Sequence, residues 1–166
     1  MKSIFRYLMG VIMPILPETR CFGFKRWMLR LCGAKIGKNV RICSSAKFLG
    51  AGDLEIGDNT WIGHQCLISS SSRIIIGANC DFAPRVYIGT GTHEITVNCN
   101  RIANVEISRD IKIGNGCWLC VNATILPGVI IGDKCVVAAG AVITKSFGSD
   151  ALFLAGVPAT VKRSLR

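Results

Sequence analysis

Ile113-Gly114-Asn115-Gly116-Cys117-Trp118, Leu119-Cys120-Val121-Asn122-Ala123-Thr124, Ile125-Leu126-Pro127-Gly128-Val129-Ile130 and Ile131-Gly132-Asp133-Lys134-Cys135-Val136 are four consecutive six-residue units. Each opens on a large aliphatic residue and places a small or β-branched residue fifth. The same beat runs backwards through Ile88, Phe82, Ile76, Ile68, Ile62, Ile56, Ile42 and Ile36 and forwards to Val137, thirteen openings in all. Seven of the thirteen are followed by Gly, and the fifth residue is always small or β-branched: Val40, Ala46, Thr60, Cys66, Ser72, Cys80, Val86, Thr92, Cys117, Ala123, Val129, Cys135 and Ala141. Three columns coinciding over thirteen units point to one repeated physical environment.

A period of six fits neither a helix nor a plain alternating strand, but it suits a short strand plus a turn. The large residue points inward, the small one fits a crowded corner, and Gly takes backbone conformations closed to other residues. Three such sides close a coil of 18 residues, and stacked coils bury a continuous aliphatic ladder, so the chain reads as an all-β parallel β-helix. Each inward Ile contributes about 1.5–3 kcal/mol when fully buried, enough for the column to hold the fold together. Ile36, Ile56 and Ile76 are spaced by 20, which predicts two extra residues at a corner of the first two coils.

The chain has 166 residues, half of them hydrophobic, and suits a single decorated domain. The apolar run from Tyr7 to Met13 ends at Pro14 and Pro17, far short of the ~20 residues that span a bilayer. It has basic flanks but no small-x-small cleavage site after it, so the reading is a mature chain from Met1 that stays in the cytoplasm. Nine cysteines are an odd count, and six of them sit on repeat columns. Cys117-Trp118-Leu119-Cys120 has CxxC spacing, but its thiols occupy different columns and no second pair or His cluster completes a zinc site. These residues read as small core residues of a reducing compartment, and no metal is expected.

Charge is uneven. Residues 1–41 hold nine basic side chains and one acid, Glu18, so +8 of the net +10 lies there. Glu18 to Cys32 mixes Arg20, Lys25, Arg26 and Arg30 with Phe22, Phe24, Trp27, Met28, Leu29 and Leu31, as a basic amphipathic helix would. It can cap the open end of the β-helix with a solvated basic face, attach to an anionic membrane surface, or do both. Nucleic acid does not fit, because the repeat body has neither a known binding motif nor a basic, aromatic-lined face. The expected division is a basic helical segment over 1–33, the β-helix over 34–146 with a loop at 94–112, and a tail over 147–166.

The beat has one long interruption, and it begins at Gly91-Thr92-His93-Glu94-Ile95. That entry, the Ile-Gly hexads, the tail Ala138-Ala139-Gly140-Ala141-Val142-Ile143-Thr144-Lys145 and Ala155-Gly156-Val157-Pro158-Ala159 together resemble the hexapeptide-repeat O-acetyltransferases, in particular the galactoside, maltose and polysaccharide branches. The lead-in Leu31-Cys32-Gly33-Ala34-Lys35-Ile36-Gly37 resembles the polysaccharide branch, and the likeness covers about residues 30–166. It implies a left-handed β-helix, although parallel crossovers are right-handed in about 98% of cases. It also implies a homotrimer with sites between neighbouring subunits, acetyl-CoA as co-substrate and a sugar or glycolipid acceptor.

The chemistry can be argued beside the resemblance. Removing a proton from a sugar hydroxyl calls for a base that titrates near neutrality, and a neutral imidazole is suited to it. His93 is the expected general base for direct attack on the thioester, and by analogy with relatives that carry an acid there Glu94 is a candidate orienter or stabiliser of the imidazolium. Asn98, Asn100, Arg101, Asn104 and Arg109 in the long loop would wall the site. By family analogy His64 and Gln65 are candidate acceptor contacts, and Trp118 is expected beside the loop. On the donor side, the resemblance implies that the CoA arm runs along the later coils, where Ala139 and Gly140 would offer backbone groups to the pantetheine, with Thr144 and Lys145 on the same edge. Lys145, Lys162 and Arg163 would meet the phosphates. The stretch Ser146–Asp150 departs from the family's Asp-x-Pro-Pro run, which puts the local geometry there in doubt. Two other classes compete. A γ-type carbonic anhydrase needs three His ligands, and this chain has two His. A non-catalytic β-helix scaffold would be indifferent to loss of His93.

Overall fold

The computed structural model describes residues 2–98 and 100–166, with side chains from Tyr7 onward. Lys2 and Arg6, the basic residues that flank the first apolar run, lie outside the described side chains. The repeats form three flat walls of short parallel strands. Wall I stacks Lys35–Ile36, Leu54–Ile56, Ile74–Ile76, Ile111–Ile113 and Ile130–Ile131. Wall II stacks Arg41–Ile42, Trp61–Ile62, Asp81–Phe82, Trp118–Leu119, Val136–Val137 and Leu152–Gly156, and ends on an antiparallel strand, Ala159–Ser164. Wall III stacks Lys47–Leu49, Leu67–Ser69, Tyr87–Gly89, Thr124–Ile125 and Val142–Ile143. The chain visits the walls in the order I, II, III, so each coil turns three corners.

The inward column is Ile36, Ile42, Ile56, Ile62, Ile68, Ile76, Phe82, Ile88, Ile113, Leu119, Ile125, Ile131 and Val137, every one of them buried. It also takes in Ile143 and Leu154, and Phe48 stacks in register with Ile68, half-buried at the first coil. Eleven of the thirteen fifth-position residues are buried as well. Ser72 and Thr92 are the exceptions. Both follow wall III, where the extra residues enter: the spacing is six from Ile36 to Ile42 and from Ile42 to Phe48, then eight to Ile56. At that corner the column shifts by two, and Ser70 and Thr90 are the buried residues. The corners stack closely, so a Cβ at Gly50 or Gly52 would run into the carbonyl of Ser70 or Ser72.

The N-terminal segment forms α1 (Lys2–Ile12), a short 3-10 turn (Met13–Ile15) and α2 (Phe22–Leu31). α2 ends in a Schellman motif. Gly33 takes a φ of 94°, its N–H bonds to the Arg30 carbonyl, and the Ala34 N–H bonds to the Leu29 carbonyl. α2 covers the first coil, but not with a solvated basic face as expected. The Lys25 side chain is fully buried, and its Nζ donates to the carbonyls of Pro17, Glu18 and Ile42 at 2.8–3.0 Å. Arg26 donates to the Val40 carbonyl, and Arg30 to those of Ile36 and Gly37. The reason is the terminal coil itself: its carbonyls have no further coil to bond, and cationic side chains supply the missing donors.

No helix among the described residues is long and apolar enough to cross a membrane. Of the eight described cysteines, six are buried. Burial pushes the thiols of Cys66 and Cys135 up, and that of Cys43 to about 11.

Candidate active site

The corner from wall III to wall I carries all the decoration. It holds Gly50–Asp53 in the first coil, Ser70–Arg73 in the second and, in the third, an antiparallel hairpin of Gly91–Ile95 with Ala103–Ser108. The loop expected over 94–112 is therefore largely a hairpin that leaves the wall three residues earlier, and Ile111 is already back in wall I. Thr90 anchors its base. The fully buried hydroxyl accepts from the N–H groups of Ser71 (2.8 Å) and Ser72 (3.0 Å), and the Thr90 carbonyl accepts from Arg109 N–H across the mouth of the hairpin.

The pairing within the hairpin decides what surrounds His93. His93 is opposite Glu106, and Ile95 is opposite Ala103. Two steps on one strand thus match three on the other, a β-bulge that sets Asn104 and Val105 against Glu94. Bulges re-aim groups beside functional sites, and here the Asn104 carbonyl oxygen lies 3.3 Å from His93 Nδ1. A carbonyl oxygen can only accept, so this contact is a hydrogen bond only with the proton on Nδ1. That tautomer leaves the Nε2 lone pair exposed and directed away from the carbonyl.

The group at the ring is the Asn104 carbonyl, while Glu94 was expected as its orienter or as stabiliser of the imidazolium. The acid that shares a face with His93 is Glu106, since directly opposed residues point the same way with Cβ atoms about 4.5–5.5 Å apart. Sequence reasoning missed Glu106 because its position depends on the register of the bulged hairpin. The signal available was weak: an acid in the returning strand Ala103–Ser108.

The other candidates fall on several edges. Thr144 and Lys145 follow Val142–Ile143 and lie on the hairpin's own corner, with Lys145 Nζ 5.8 Å from the centre of the Phe147 ring. Ala139 and Gly140 turn from wall II to wall III, so they do not share an edge with Thr144 and Lys145 as expected; a wall strand intervenes. Gly140 takes a φ of 67° with open space around it, which leaves room for a close approach to its backbone. Lys162 and Arg163 are exposed on the last strand of wall II, where the Arg163 guanidinium lies 5.5 Å from the centre of the Phe153 ring. The donor candidates thus gather at one end of the helix, around the last coil.

His64 and Gln65 turn the corner from wall II to wall III in the second coil. Gln65 borders a hollow of about 750 Å³ between α1 and wall III, lined also by Met13, Lys47 and Leu67. His64 Nδ1 lies 3.4 Å from a Glu18 carboxylate oxygen, beneath the cap. Trp118 is half-exposed on wall II, the wall opposite the hairpin's corner, and within one chain it is not beside His93. A single chain therefore brings His93, Thr144 and Lys145 to one edge and leaves His64, Gln65 and Trp118 on others.

Among the described residues, Glu18, Cys43 and His64 bring ligand atoms within 4.8 Å of one another. The Lys25 ammonium is held against this cluster by the carbonyls of Glu18 and Ile42 and already supplies a positive charge there. A divalent ion would be set against it. The arrangement reads as an ion-paired seam between cap and coil.

Comparison with known proteins bears on the family and the fold. Residues 110–145 match the family model described as bacterial transferase hexapeptide (six repeats). The colanic acid biosynthesis acetyltransferase WcaF of Escherichia coli (strain K12) is 35% identical over 147 residues, covering 86% of this chain and 75% of the relative. The galactoside O-acetyltransferase of the same organism is 30% identical over 132 residues, covering 80% and 64%. Among solved structures, the hexapeptide-repeat acetyltransferase VCA0836 of Vibrio cholerae O1 biovar eltor, complexed with acetyl coenzyme A, superposes with a TM-score of 0.70 at 22% identity, covering 99% of this chain and 88% of that one. The last likeness carries the fold, a left-handed parallel β-helix.

Proposed function

The chain belongs to the hexapeptide-repeat acetyltransferase family, and from that premise we propose that it transfers acetyl from acetyl-CoA to a sugar hydroxyl, in cell-surface polysaccharide biosynthesis, with His93 as general base. The observation that carries this reading is the contact between His93 Nδ1 and the Asn104 carbonyl, which reserves Nε2 for the acceptor. In the transfer, Nε2 takes the hydroxyl proton as the oxygen attacks the thioester carbonyl carbon. The tetrahedral intermediate collapses with breakage of the C–S bond, and the imidazolium returns its proton to the departing thiolate. The products are an O-acetyl ester and CoA, with no acyl-enzyme. A positioned base contributes about 10²–10⁴ in rate, and Glu106 on the same face would favour the imidazolium formed in the transition state.

Gly140 and Ala139 are assigned to the pantetheine arm, and Lys145, Lys162 and Arg163 to the phosphates, where fixed positive charge is needed. The spread of candidates over different edges favours a homotrimer. A neighbour's wall or corner would then bring His64, Gln65 or Trp118 against the His93 hairpin. WcaF is named for colanic acid biosynthesis, which supports a polysaccharide precursor as acceptor. The test is release of free thiol from acetyl-CoA against a panel of free, nucleotide-linked and lipid-linked sugars, with the product identified by NMR. An acceptor-dependent O-acetyl ester is expected. No acceptor-dependent release with any of them would overturn the reading.

A further inference from the structure

We propose that the capped end of the β-helix docks on the surface of an anionic phospholipid bilayer, with the outer faces of α1 and α2 seated in the interface. α2 buries Lys25, Met28 and Leu29 and leaves Phe24, Trp27 and Leu31 exposed along an adjoining stripe, at the spacing of one helical face. Phe24 and Trp27 stack with ring centres 5.5 Å apart, a preformed aromatic pair. α1 buries Met9 and exposes Tyr7, Leu8 and Val11, and Ile15 after it is 78% exposed. Between the helices runs an apolar groove of about 140 Å³. No comparable gathering of exposed aromatic residues occurs on the described walls, where Trp118 stands alone as an exposed aromatic.

Charge selects the occupant. The segment that carries this apolar face, residues 1–33, holds six basic side chains and one acid, +5 of the net +10. The bonds that Arg26 and Arg30 make within the cap are to neutral carbonyls, so their charge is satisfied in hydrogen bonding without being cancelled, whereas the buried Lys25 ammonium stands beside Glu18. A second copy meeting this face would bring like charges together. A layer of anionic headgroups neutralises them while the acyl boundary takes up the aromatic and aliphatic side chains. The mode is surface attachment: α1 has 11 residues, about 16 Å of helix against the ~30 Å of a bilayer core. Docked this way, the β-helix stands on its cap with the His93 hairpin two coil spacings, roughly 10 Å, above the first coil. On the acyl-transfer reading, that hairpin would face sugars carried on membrane lipids.

The experiment is co-sedimentation of the full chain with vesicles of phosphatidylglycerol and phosphatidylethanolamine, and with vesicles of phosphatidylcholine alone. Fluorescence of the wild-type protein is followed with lipids brominated near the headgroup. The expected result is at least about tenfold stronger partition onto the anionic vesicles, weakened by salt, with tryptophan quenching by the brominated lipid. Tyr7→Ser combined with Trp27→Ser should lower partition about tenfold or more and remove most of the quenching. Ile130→Ser, an exposed apolar residue on wall I, should change neither. Equal partition onto neutral and anionic vesicles overturns the proposal. So do substitutions that alter the oligomeric mass in light scattering and leave vesicle binding as it was, which would assign the face to a second copy. Vesicle binding and thiol release are separate measurements, so failure of one is distinguishable from failure of the other.

Discussion

Thr90→Val replaces a buried side chain with one of nearly the same shape and removes a single oxygen. That oxygen accepts the N–H groups of Ser71 and Ser72 at 2.8 and 3.0 Å. Leaving a partly buried donor without its acceptor costs about 1–3 kcal/mol, so two of them together cost about 2–4 kcal/mol after partial rescue by water. For a chain of this length each kcal/mol lowers Tm by roughly 2–4 °C, a fall of roughly 5–15 °C. Thr90→Ser keeps the oxygen and loses one methyl group, about 1 kcal/mol. The expected order of stability in urea is therefore wild type, then Ser, then Val. Packing alone gives the opposite order, since Val fills the site better than Ser. Hydrogen exchange should locate the Val defect at residues 70–73 and at the base of the hairpin. A Val variant as stable as the Ser variant, or more stable, would refute the assignment of Thr90 as a hydrogen-bonded anchor.

Lys25→Met removes the ammonium that serves three carbonyls and should cost about 2–4 kcal/mol in urea unfolding. Exchange protection should be lost first over α2 and the first coil, and an unchanged midpoint would contradict the capping role. Among the described thiols, Cys21 is exposed and should react first with a thiol reagent, while Cys43, Cys66 and Cys135 should stay unreactive until the fold opens. Burial raises the Cys43 value in the folded chain to about 11, so the sign is set: its contribution is fully present below the unfolded thiol value near 8.5 and is lost as pH rises through the folded value. Urea midpoints should fall between about pH 8 and pH 11, and less steeply in Cys43→Ala. Equal steepness in the two proteins would count against burial as the cause.

Much of the architecture could be read from residue identity because a β-helix repeats one environment per wall. An inward Ile every six residues, a small residue at each crowded corner and Gly where coils touch are local demands, and local demands show in sequence. What did not show was relational. Ser72 and Thr92 fit the column in sequence but sit after a corner widened by two residues or by a hairpin, where the buried role passes to Ser70 and Thr90. Phe48 was passed over because the widened corner follows it and breaks its own hexad. Basic residues in α2 look alike on paper, yet Lys25 turns into the carbonyls of the first coil while other charges face water, a difference set by which donors the terminal coil lacks.

The site divides the same way. His93 stood out because it is one of two histidines and opens the only long break in the repeat. Its ring partner did not, because a backbone carbonyl has no sequence signature and Asn104 reaches the ring through a bulge. Glu94 is adjacent in sequence, but the acid facing His93 is Glu106, across the hairpin. Trp118 lies one coil past the hairpin along the chain and on the opposite wall in space. Proximity along the chain misleads where each coil turns three corners.

The most direct test of the account is a single-turnover measurement of acetyl transfer by the wild-type protein and by His93→Gln, with acetyl-CoA binding measured on both. The account predicts a rate lower by about 10²–10⁴ in the variant, with acetyl-CoA affinity and melting temperature unchanged. Transfer within a few-fold of wild type in a folded His93→Gln protein would contradict it.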